Sequence, residues 1–171
     1  LQRLVPVIGD RRIPFVDFEI LSYGRALDSI AAEIVSAFCE RLATCGAEGA
    51  RSALGILFMY CYSNEARFAA CRSVLRKLLM TDNLLATGRG ESRLSHRWEV
   101  ISVKLLSGET ADPELARNLA ERIIEMTCKD TGDCSLSIDT ARKILRVILT
   151  HYFPVCWPVV GTALVRRHPR F

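Results

Sequence analysis

The sequence predicts an all-α fold, and three observations carry that prediction. Apolar residues recur three and four apart along most of the chain, as they do when one side of a helix packs. No stretch shows the sustained polar–apolar alternation of a half-buried strand. Helix-capping residues and prolines also stand where such periodic runs would begin.

Taken in order, residues 1–14, with Pro6, Gly9 and Pro14, read as an extended arm. Leu27, Ile30, Ile34, Phe38 and Leu42 form the stripe of a first helix, for which Gly46 is a C-terminal stop. Residues 50–62 are apolar nearly all round, so they should form the most buried helix; Ala50, Ala53, Leu54 and Met59 favour helix over strand. After Ser63-Asn64, which can cap, Phe68, Cys71, Leu75 and Leu78 give the next stripe, with arginines on its far side.

Residues 81–95, polar and carrying Gly88 and Gly90, read as a loop. Ser95 is then the cap of a helix through Trp98, Ile101 and Leu105, ending at Ser107-Gly108. Asp112-Pro113-Glu114 is the clearest boundary. Aspartate supplies a cap oxygen, proline lacks an amide that would go unpaired, and glutamate suits the positive helix end. Leu115, Leu119, Ile123 and Met126 should face inward from that helix. Ser137 caps the next, with Ile138, Ala141, Leu145, Ile148 and Tyr152 inside and Pro154 ending it. A short apolar segment, Pro158–Val165, precedes the basic tail at 166–171.

The expected architecture is therefore a single helical domain over 15–165, with six or seven helices in antiparallel hairpins. A globular bundle and a short HEAT- or armadillo-like stack both fit, since alternate helix starts recur at a near-constant spacing.

The 171 residues are half apolar and one-quarter charged, which is globular and not disordered. The net charge of +4 is modest for a dedicated nucleic-acid domain, but the cations are nearly all arginine, with four lysines against nineteen arginines. They cluster: Arg67, Arg72, Arg76, Lys77, Arg89, Arg93 and Arg97 fall together in the middle, and an acidic stretch follows from Glu109 to Asp139.

Seven cysteines cannot all pair within one chain. Most lie in apolar helical stretches, where a reduced thiol is a small hydrophobe, and this points to a reducing, intracellular setting in cytoplasm or nucleus. Cys128 and Cys134 are the one plausible local pair. The start at Leu1 leads us to expect an excised part of a larger protein.

Motifs of chemistry are sparse. The three histidines and the cysteines lack zinc-ligand spacing, and Thr87-Gly88-Arg89-Gly90 lacks the strand and the Lys-Ser/Thr of a phosphate loop. No nucleophile elbow occurs. Cys156, near His151 between two prolines, is the sole thiol in a kinked setting beside an imidazole, and packing accounts for it. Ile148–Val165 is apolar enough to test as a membrane segment, but Pro154 and Pro158 break it, so it reads as the closing core helix.

The expectation is a non-enzymatic helical protein–protein interaction domain, an adaptor, scaffold or self-associating unit, with no cofactor, metal or small-molecule substrate. Its partner surface is expected at Arg72, Arg76, Lys77, Arg89, Arg93, Arg97 and Trp98, because tryptophan and arginine concentrate at interface hot spots. The alternative is a nucleic-acid-binding or nucleoprotein domain using the same arginines.

Overall fold

The computed structural model describes residues 30–81, 84, 92–108, 110–128 and 136–167. Seven helices account for nearly all of them: α1 (Ala32–Ala43), α2 (Ala47–Cys61), α3 (Glu65–Leu79), α4 (Ser92–Leu106), α5 (Pro113–Cys128), α6 (Ile138–His151) and α7 (Phe153–Arg167). There is no strand among the described residues, so the fold is all-α. The 1–14 arm, Arg89, the Cys128–Cys134 pairing and the tail beyond Arg167 lie outside the described residues or side chains. The chain divides into two compact units, residues 1–84 and 85–171.

In the first unit α1, α2 and α3 each pack on the other two. Their running directions follow from side-chain pairs. Tyr60, at the end of α2, donates from its phenol to the carbonyl of Ile30 just before α1, at 2.8 Å, so α1 and α2 are antiparallel. Ser36 meets Cys71 and Glu40 meets Lys77, in the same order along both helices, so α1 and α3 run parallel. In the second unit α4 packs on α6, and α5 packs on α6 and α7. Ser95 meets Thr140, Glu99 meets Lys143, and the Leu106 carbonyl meets Tyr152, so α4 and α6 run parallel. Tyr152 also receives the amide of Asp112, which places the start of α5 at the end of α6. α7 then packs along α5 and α6. The all-α arrangement is consistent with a helical bundle.

Local signals explain the boundaries. Asp112 accepts from the Leu115 amide at 2.9 Å ahead of Pro113, the first residue of α5. Asn64 and Ser137 cap α3 and α6 by accepting from Arg67 and Thr140 amides, each at 3.0 Å. The α2 expectation is met by an unbroken buried run from Ser52 to Leu57, with Tyr60 and Cys61 also inside.

Four expectations need correction. Gly46 does not close α1, which ends at Ala43 with Thr44 as its C-cap; Gly46 opens α2 at φ +93°. Ser95 is not a cap, because α4 begins three residues earlier and Ser95 lies buried within it. Ile34 and Ile138 do not face inward. Val35 takes the inner place on α1, and Ile138, 73% exposed, is the first residue of α6 and projects past its neighbours. Met126 and Leu145 are half-buried.

Pro154 ends α6 only in the sense that it belongs to the next helix. Tyr152 breaks the helical path with φ −129° and ψ 25°, and Pro154 sits in the first turn of α7, where amides have no intrahelical acceptor. The apolar segment after it is a 15-residue helix that tolerates Pro158 inside.

Candidate protein-contact surface

The seven residues expected to form a partner surface do not share one environment. Arg72, Arg76 and Lys77 lie on α3, the arginines half-buried and already engaged within the protein. Lys77 pairs with Glu40 at 2.7 Å. The side chains of Arg89 and Arg93 lie outside the described set. Arg97 is 7% exposed and Trp98 1% exposed. Trp98 belongs to the stripe Leu94–Trp98–Ile101–Leu105, all buried, so it serves the interior and not a surface.

Among the described residues, exposed large apolar side chains are concentrated on α7. Cys156 and Val160 face inward, while Phe153 and Trp157 are 48% and 43% exposed, with Val155, Leu164 and Val165 exposed as well. At 100° per residue Phe153, Trp157, Gly161 and Leu164 fall on one stripe. The two aromatic rings stack, with centroids 5.1 Å apart and planes 18° from parallel. The indole of Trp157 lies over Gly161, close enough that a Cβ there would sit 3.2 Å from the ring. The rings thus lie against one another along the helix and form an exposed apolar shelf. No charged side chain interrupts α7 from Phe153 to Val165.

This shelf departs from the expectation of a closing core helix, because only one side of α7 is covered. The sequence signal was present but easy to misread: Phe153, Trp157 and Leu164 are spaced as a stripe of their own, displaced from Cys156 and Val160 around the helix.

On the other flank of α7 a groove of about 600 Å³ runs against α5. Ile124, Pro158, Val159 and Ala163 give it an apolar lining, with Glu121, Glu125 and Arg166 at its edges. Glu121 is paired with Arg117 at 3.0 Å.

The titratable groups near these surfaces have accountable states. Burial pushes the Cys156 thiol up, Arg117 opposing and Glu121 reinforcing the shift, so the thiol is protonated at neutral pH and a poor nucleophile. His151 is exposed, at the end of α6. Between α4 and α6, Glu99 accepts from Thr140 at 2.8 Å and from Lys143 at 2.9 Å. Desolvation raises its pKa, but the hydrogen bonds from Lys143 and Thr140 outweigh it and hold the carboxyl below its ordinary value.

Among the described residues no cluster of three or more His, Cys, Asp or Glu side chains could hold a metal ion. No helix among them is long and apolar enough to cross a membrane.

Comparison with known protein families, curated proteins and solved structures gives no match. The functional reading therefore rests on the chain's own surfaces.

Proposed function

We propose that this chain acts by protein–protein contact without transforming a substrate, and that the outer face of α7 is the surface it uses, met by the same face of a second copy. The observation that carries the reading is the stacked, half-exposed Phe153–Trp157 pair. Aromatic side chains contribute large contact area at low conformational cost, and these two are already held by each other and by Gly161. A contiguous exposed apolar stripe marks an interaction site more often than scattered exposed residues do.

The second-copy assignment follows from charge. A twofold contact sets each surface against itself, so like charges would oppose one another. The uncharged run from Phe153 to Val165 avoids that penalty. The reading through nucleic acid has less support, since Arg97 and Trp98 are interior and Lys77 is paired.

Sedimentation of the full chain across micromolar to submillimolar concentration tests the proposal. We expect a concentration-dependent dimer, abolished by Trp157→Asp, with the Trp157 emission shifting to the blue as the dimer forms. Trp98, already interior, should contribute a constant component. A chain that stays monomeric throughout, or a dimer indifferent to Trp157→Asp, overturns the assignment.

A further inference from the structure

The outward side of α7 carries more than the aromatic shelf. At 100° per residue Pro154 stands about 60° round the helix from Trp157, on the side away from Cys156 and Val160, and it too is exposed. Pro158 and Val165 share that side. Pro158 lies inside the helix and has no amide. The carbonyl of Pro154, which would receive the amide four residues on, is left without that bond, and proline offers no side-chain donor in its place. One turn further along, the Thr162 hydroxyl donates to the carbonyl of Pro158 at 2.6 Å.

In the free chain water solvates the Pro154 carbonyl. A second copy seated on this face excludes that water, and a buried carbonyl left without a donor weakens the contact. Between Phe153 and Val165 the side chains able to donate are Cys156, Trp157 and Thr162. Cys156 is buried, and Thr162 is engaged with Pro158. Trp157 remains. Its ring meets Phe153 and Gly161, and the indole N–H has no acceptor among the described residues. Because the indole lies over Gly161, one turn towards the C-terminus, it is turned away from the Pro154 carbonyl of its own helix.

We propose that the α7 faces of two copies are joined by a reciprocal pair of hydrogen bonds, each Trp157 indole N–H donating to the Pro154 carbonyl of the other copy. The inference rests on the self-association proposed above and adds what selects the partner. Under a twofold axis a donor and an acceptor on one surface each meet their counterpart, so both bonds form together. An apolar face alone would accept any apolar helix. A carbonyl bared by proline, with an indole N–H on the same face, suits another copy of this helix. Pro158 thereby has a role that helix stability does not explain, since proline inside a helix lowers it.

Sedimentation of the full chain with two substitutions, made singly and together, tests the pairing. Pro158→Ala returns an amide to the Pro154 carbonyl. Benzothienylalanine in place of Trp157 keeps the bicyclic ring and exchanges the N–H for sulfur. Each change removes both bonds. At about fivefold per neutral hydrogen bond, each should weaken the dimer about thirtyfold. The combined chain should lose no more than either alone, because both changes remove the same bonds. Pro158→Ala should do this while raising the melting temperature measured below the dimer constant, which separates the loss from unfolding. A dimer constant unchanged in either variant, or losses that multiply in the combined chain, overturns the pairing. If Trp157→Asp still abolishes that dimer, the self-association stands without it. A chain monomeric throughout, whether or not it binds lipid vesicles, overturns both.

Discussion

The phenol of Tyr152 donates to the main-chain carbonyl of Leu106 at 3.0 Å, tying the end of α6 to the end of α4. The same oxygen accepts from the Asp112 amide at 3.2 Å. One hydroxyl thus joins three helices at the only non-helical residue between α6 and α7. Tyr152→Phe keeps the ring and removes both bonds. We expect a loss of about 1–3 kcal/mol in urea unfolding, since a buried carbonyl is left without its partner.

Glu99 makes part of the second unit's stability depend on pH. Its folded carboxyl sits below its unfolded value of about 4.3. The contribution is therefore complete above that value and is lost as pH falls through the folded pKa. Glu99→Gln should cost about 1 kcal/mol at neutral pH. The deficit against wild type should narrow as pH drops below about 4. Chemical denaturation at several pH values reads both. A deficit that does not change with pH would exclude the charged network as its cause.

Two glycines in the first unit should respond differently to alanine. Gly46 has open space around its missing side chain, but its φ of +93° with ψ −170° is nearly confined to glycine. Gly46→Ala should cost about 1–3 kcal/mol through backbone strain alone. At Gly49 the backbone is ordinary helix, and an added Cβ would collide with the main-chain carbonyl of Leu42. Because backbone cannot step aside as a side chain can, Gly49→Ala should be the more damaging of the two. Thermal unfolding of both variants gives the order.

Ser102 is fully buried in α4, and its hydroxyl has no hydrogen-bond partner among the described residues. Ser102→Ala removes an unsatisfied polar atom and improves helix propensity. It should raise stability by about 1 kcal/mol, an unusual sign for a core substitution. A destabilised variant would mean the hydroxyl has a partner.

Much of the architecture was legible because its signals are local. Asp112-Pro113, Asn64 and Ser137 act within one turn of their own position, and each stands where the sequence placed it. The continuous burial of α2 likewise follows from its having no polar side. What failed depended on context. Proline was read as a stop, yet the first turn of a helix does not need the amide it lacks, and so α7 was shortened. Trp98 was expected both on an inward stripe and on a surface; the spacing to Leu94, Ile101 and Leu105 decided for the interior. The Phe153–Trp157 shelf was hidden because composition cannot tell which apolar stripe on a helix finds a neighbour.

With α3 running parallel to α1 and packed on both α1 and α2, no helix of the first unit can leave without exposing apolar faces of the other two. The three should therefore open as one cooperative unit in hydrogen exchange, with no helix opening alone.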